Sequence, residues 1–206
     1  MSLYFLKEPN GFEAPFAIKY DLDSQIKCFN TSGKLMSIMG GHKSAVSAIR
    51  MSPTGSEAIS VSCDVAQVWN LSTFERLRRL KIKPEVPLSD ICYLSAELTI
   101  TAFKDSSLFV WKGEQCQFQI KTSPDAMMKI THVIYSADTG QIIIGGKSDC
   151  IHIYSLEKQK LVSVLQINGM KRVKTMAVVT GMPEHLFILS DGFVRILNVT
   201  DWGPYF

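Results

Sequence analysis

The sequence has no long uncharged apolar stretch, which excludes a membrane-crossing helix. It has no strong excess of one charge. Lys+Arg number 22 against 19 Asp+Glu, and a net +3 is too little to point by itself to nucleic acid or a membrane surface. The opening MSLYFLKEPNGFEAPF holds no apolar core of signal-peptide length, so secretion is not expected and a cytoplasmic setting is. Cysteine is sparse: Cys28, Cys63, Cys92, Cys116 and Cys150 are never closer than 24 positions, so no CxxC pair can clip zinc or cycle as a redox motif. The odd, scattered set reads as reduced cysteines packed as small hydrophobes. What the chain does have is 46% apolar residues in 206, enough to build the core of one domain and too many for disorder.

No sustained 3.6-residue period runs through the chain. Short alternating or apolar runs recur instead, separated by Gly, Pro, Asp and Ser. Val46–Met51, Glu57–Ser62, Leu98–Phe103, Leu108–Trp111, Gln141–Ile144, Ile151–Tyr154, Leu186–Leu189 and Phe193–Leu197 each have the length of a strand. An all-β domain built from hairpins follows.

The runs are also in register. A large apolar residue followed by a turn residue occurs at Phe29-Asn30, Trp69-Asn70, Trp111-Lys112, Tyr154-Ser155 and Leu197-Asn198, spaced 40, 42, 43 and 43 residues apart. Five or six positions before each anchor stands an aspartate: Asp23, Asp64, Asp105, Asp149 and Asp191. A period of ~40–45 residues is that of WD repeats, with four strands to a blade. The spacing predicts a WD40-type β-propeller of about five degenerate blades in one domain, with units near 1–39, 40–83, 84–121, 122–167 and 168–206. Each aspartate belongs in a tight turn, and each anchor fills the gap between blades. Only the second unit adds Gly41-His42, so there His42, Ser60, Asp64 and Trp69 are expected to form a buried hydrogen-bonded chain.

The stretches IKCFNT (26–31), GGHKSAVSAI (40–49), AQVWNLSTFERLRRLKI (66–82), FKDSSLFVW (103–111), GGKSD (145–149) and LSDGFVRILNV (189–199) carry a more specific likeness. Over about residues 20–199 the chain resembles the WD-repeat region of the WD-repeat, TBC-domain family of centriolar satellites. The resemblance implies a protein-binding scaffold at centriolar satellites, the centrosome or the ciliary base. In that family the repeats precede a TBC domain, which in related proteins activates Rab GTPases with an arginine and a glutamine. Only eight residues follow Asn198, so no TBC domain and no catalysis are expected of this chain. The alternative implied is a propeller fragment of a Rab GTPase activator whose catalytic domain is missing.

Other candidate chemistry falls away. Asp138-Thr139-Gly140 matches the aspartic-protease triplet but stands alone between two strand-like runs, where Asp and Gly are turn residues. Gly145-Gly146-Lys147-Ser148 imitates the end of a P-loop, but the earlier glycine is replaced by Gln141 and an alternating run, not a helix, follows. His42, His132, His152 and His185 show no metal-ligand spacing, so neither metal nor cofactor is expected. Sequons at Asn30, Asn70 and Asn198 read as by-products of the repeat.

The most basic stretch, ERLRRLKIK (75–83), reads as an outer strand with a solvated charged side; Arg76, Arg78, Arg79 and Lys81 are its candidate docking patch. Nucleic-acid binding there is not expected, because exposed aromatics are not interleaved with the arginines. The partners are expected to be proteins. An open ring is predicted, since Leu3–Leu6 and the eight residues after Asn198 offer no clasp between the ends. Its unsatisfied faces, beside residues 1–20 and 176–198, would favour self-association.

Overall fold

The computed structural model describes residues 2–5, 16–20, 24–30, 32–80, 86–120, 129–179 and 182–199. All regular structure among them is strand, with no helix. The first sheet comprises β1 (Ser2–Phe5), β2 (Phe16–Tyr20), β3 (Ile26–Asn30) and β4 (Leu35–Met39). The second comprises β5 (Ala48–Met51), β6 (Glu57–Val61), β7 (Ala66–Asn70) and β8 (Arg76–Leu80). In the third are β9 (Leu88–Tyr93), β10 (Leu98–Phe103), β11 (Leu108–Lys112) and β12 (Gln115–Ile120). The fourth has β13 (Ile130–Ser136), β14 (Gln141–Gly146), β15 (Cys150–Ser155) and β16 (Lys160–Gln166). The last has β17 (Thr175–Val179), β18 (Met182–Ser190) and β19 (Phe193–Asn198). Each sheet is an antiparallel meander in chain order; beyond the β1–β2 connection, the links within sheets are two to five residues long, which can only return the chain beside the strand just laid down.

The first strands β5, β9, β13 and β17 touch one another in succession, and the last strands β4, β8, β12 and β16 lie outermost. Four buried clusters fill the spaces between successive sheets. Trp69 packs with Ile26, Cys28 and Met39 of the first sheet; Ile91 and Tyr93 pack with Val68 and Leu80 of the second. Tyr154 packs with Ile100 and Val110 of the third, and Leu186 and Leu197 pack with Ile143 and Ile151 of the fourth. Among the described residues none of these clusters joins the last sheet to the first, and the arrangement is an incomplete WD40-type propeller.

Beside each of the first four anchors the register of the outer strand slips by one residue, at Cys28/Phe29, Val68/Trp69, Val110/Trp111 and Ile153/Tyr154. An extra residue there bends the outermost strand and increases its twist. Gly145 has another local cause. A Cβ on it would lie 2.7 Å from Val173 Cγ2 and 2.9 Å from Met176 Sδ, so the fifth blade approaches β14 closely only because no side chain stands there.

Candidate interaction surface and the frameworks behind it

The second blade brings the four expected residues together through one serine, Ser62, that the repeat pattern does not mark. Trp69 Nε1–H donates to Ser60 Oγ at 2.7 Å, and Ser60 Oγ lies 2.6 Å from His42 Nε2. His42 Nδ1 lies 2.9 Å from Ser62 Oγ, whose hydroxyl donates to Asp64 Oδ1 at 2.8 Å; Ser44 Oγ–H donates to the same oxygen at 2.8 Å. Counting donors orders the chain. Ser62 spends its proton on Asp64, so it accepts from His42 Nδ1–H, and Nε2 is left to accept from Ser60. His42 therefore reaches Asp64 through Ser62 and not directly.

Burial is the main reason its imidazole is held down to about 4 from the usual 6.5; Asp64 pulls it upward and Arg79 downward. At Asp64 partial burial pushes upward, but the Ser44 and Ser62 hydroxyls outweigh it and the carboxyl lies below its usual range. The network runs from an exposed turn to a buried indole and ties the segment before β5 to β6 and β7.

The third, fourth and fifth units keep a buried anchor and vary the fastening. Phe29 of the first unit is only half-buried and belongs to none of the four buried clusters, so it does not fill a gap between blades as expected. Trp111 is 7% exposed and donates to Thr101 Oγ1 at 2.8 Å, the counterpart of the Trp69–Ser60 bond. Tyr154 is buried, which pushes its phenol up to about 12, and Leu197 is buried as a plain aliphatic. Asp105 accepts from Ser107 N and Oγ at 3.0 and 2.6 Å, closing its own turn. Asp149 accepts from Cys150 Sγ at 3.3 Å and Gln166 Nε2 at 3.2 Å, bonds that lower its carboxyl. Asp191 accepts from Lys171 N at 2.7 Å, so its turn holds the segment entering the fifth blade. Asp23 lies outside the described residues. After the anchors, Asn30 Oδ1 accepts from Lys34 N and Asn70 Oδ1 from Ser72 N, each at 2.8 Å; these bonds explain the asparagines of two of the sequons.

A second polar framework has no sequence signature. Arg50 of β5 holds both oxygens of Asp90 of β9 through Nη2, at 2.8 and 2.7 Å, and Asp90 Oδ2 accepts from Val133 N of β13 at 3.0 Å. Asp90 is 1% exposed, so one carboxylate joins the inner strands of three successive blades. Only a charge in the strand run LSDICY hinted at it, and its partners come from other blades.

The candidate docking patch divides. Arg78 pairs with Glu57 on the face toward the third blade, at 2.9 and 3.3 Å. Arg76 Nη1–H donates to Gln67 Oε1 at 3.3 Å and Arg79 Nη2–H to Gly41 O at 3.1 Å, both on the face toward the first blade. The three arginines are thus not one cluster, and Lys81 lies outside the described residues. Not all of the cysteines are packed as small hydrophobes. Cys28 is buried, with its thiol pushed up to about 11, and Cys92 to about 12 by burial first, but Cys63 and Cys116 are exposed.

Asp138-Thr139-Gly140 forms the turn between β13 and β14, and strand β15 follows Gly145–Ser148. Among the described residues no group of three or more His, Cys, Asp and Glu is placed to hold a metal ion, and no helix is long and apolar enough to cross a membrane.

Fold and frameworks define the class: a WD-repeat-type propeller segment, with an anchor and a turn fastening in unit after unit. The chain is 32% identical over 191 residues to TBC1 domain family member 31 of Xenopus tropicalis, 33% over 189 residues to that of Homo sapiens and 34% over 191 residues to that of Mus musculus. Each match covers 86% of this chain but only 17, 18 and 19% of the relative, so the chain spans less than a fifth of the length of these curated proteins. No protein-family model matches the chain.

Proposed function

We propose that the chain is a non-catalytic scaffold for protein–protein interaction, working at centriolar satellites, the centrosome or the ciliary base. The observation that carries this reading is the repeated rigid frame itself. Anchors and polar fastenings lock strands in place, while the connecting turns at the sheet ends are free to differ in chemistry and to bind. The setting rests on the resemblance in sequence. The partners are proteins rather than nucleic acid or a bilayer core. Self-association belongs to the same reading, because Phe193 and Val194 on β19, the end strand of the last sheet among the described residues, are 67% and 63% exposed.

A second reading, a propeller piece of a Rab GTPase activator, is favoured by the words "TBC1 domain" in the relatives' name. It assigns this chain a targeting role and no turnover.

The test is proximity labelling by the tagged chain in ciliated cells, with the full-length relative as reference. Enrichment of a shared set of centrosomal proteins is expected. A uniform cytosolic profile with no shared partner would sink the scaffold reading, and acceleration of Rab GTP hydrolysis by the purified chain would sink its non-catalytic part.

A further inference from the structure

The four outermost strands differ in charge. β4 (LMSIM) and β12 (QCQFQI) carry none, β16 (KLVSVLQ) begins with one lysine, and β8 (RLRRL) carries three arginines. β8 is the end strand of its sheet, so among the described residues one of its edges meets no strand of the same sheet. In an unbroken strand Arg76 and Arg79, three residues apart, would point to opposite faces. The register slip beside Trp69 changes that. Arg76 pairs with Trp69 and Arg79 with Gln67, two positions apart on β7, so both arginines share one face while Arg78, paired with Val68, takes the other.

On that face the two guanidiniums converge on one glycine. A Cβ on Gly41 would lie 3.1 Å from Arg76 Nη1 and 3.7 Å from Arg79 Nη2, and the backbone there has φ +111°, which a side chain rarely adopts. Arg50 and Arg78 have carboxylate partners at 2.7 and 2.9 Å. Among the described residues no carboxylate is within ion-pair distance of Arg76 or Arg79; their bonds go to a neutral amide and a backbone carbonyl. Lys43, in the same turn as Gly41, is exposed and adds to the positive field.

We propose that the edge of β8, with Arg76 and Arg79 beside the Gly40–Lys43 turn, docks an extended acidic segment of a partner protein. The proposal rests on the scaffold reading and gives it a surface. An edge strand supplies backbone donors and acceptors to an added strand, and alternate side chains of that strand fall on one face. Acidic residues on that face meet two guanidiniums with no other carboxylate to satisfy, in the charge-assisted geometry that arginine favours. The same charges repel a second β8, so they exclude self-pairing while selecting a complementary strand. The occupant is a peptide rather than a nucleic acid because the face has two such guanidiniums, not a track of phosphate contacts.

A labelled alternating Glu–Val peptide, its Lys–Val counterpart and an oligouridylate, titrated onto the full chain by fluorescence anisotropy, test this. The Glu–Val peptide is expected to bind saturably, to weaken with added salt, and to lose about tenfold or more in affinity in the Arg76→Gln/Arg79→Gln double variant. Arg76→Lys/Arg79→Lys should recover part of that loss. Amide exchange on the unmodified chain gives a readout that needs no variant: the peptide should slow exchange in residues 76–80. Absence of saturable binding, equal binding of the Lys–Val peptide, protection confined to other strands, or tighter binding of the oligouridylate would each overturn the proposal. Shared partners that persist in cells after any of these results would leave the scaffold reading standing, so the two can fail separately.

Discussion

The second and fifth blades occupy equivalent places in the repeat and are held by different chemistry. In the second, an indole, two serines, an imidazole and a carboxylate run in one hydrogen-bonded line from Trp69 to Asp64, and Ser44 brings in the segment before β5. In the fifth the anchor is Leu197, and Asp191 takes the backbone N–H of Lys171 directly. Both aspartates fasten an incoming segment to a turn. The difference shows that the position is demanded by the blade and that the fastening is negotiable. A hydroxyl relay and a single amide bond do the same geometric task, but only the relay leaves buried polar atoms exposed to loss when one member is removed.

The strongest way to break the comparison is to remove the anchors. Trp69→Ala should cost ~3–5 kcal/mol of unfolding free energy, since it empties a core site and strips Ser60 of its indole donor. Leu197→Ala should fall toward the lower end of the ~2–5 kcal/mol range, with no polar partner stranded. Equal losses in urea titrations of the two variants would mean that the relay adds nothing to packing. Asp90→Ala belongs with the large effects at ~3–5 kcal/mol, because it leaves Arg50 and the Val133 amide without their shared acceptor. Retention of the parent midpoint would deny the central framework a structural role.

His42→Ala should cost less, ~1–3 kcal/mol, by leaving Ser60 and Ser62 facing a void. The same residue sets a pH dependence. Its imidazole titrates near 6.5 unfolded and about 4 folded, so between these values the unfolded chain binds more protons. Stability is fully present above about pH 6.5 and falls as pH drops toward 4. His42→Gln should flatten that fall in thermal melts without abolishing it, because His132 and His152 are also lowered by burial. An unchanged slope would show that His42 is not held neutral by the fold. The smallest effect is expected for Asp191→Asn. It keeps an acceptor for Lys171 N at an exposed turn, so its midpoint should drop less than that of His42→Ala.

Parts of this architecture are legible in the residue order. Anchors spaced 40, 42, 43 and 43 residues apart and an aspartate before each specify sheets of about equal length, because every meander must return at the same radius to stack on its neighbour. Other parts are not. Ser62 and Ser44 carry no mark that separates them from any turn serine, and nothing in residues 75–83 marks the register slip that splits their arginines between two faces. Gly145 passes for part of a phosphate loop until Val173 and Met176 of the next blade are seen against it.

The sequence alone determined the class of fold, since strand length, turn chemistry and a fixed period are local properties of the chain. Tertiary structure decided which side chains meet. Arg50, Asp90 and Val133 lie 40 and 43 residues apart, and only stacking of the inner strands brings guanidinium, carboxylate and amide into one bonded group. Likewise a single bulge, visible only once β7 and β8 are paired, turns Arg76 and Arg79 onto one face, because pairing register and not residue order fixes the direction in which a strand side chain points.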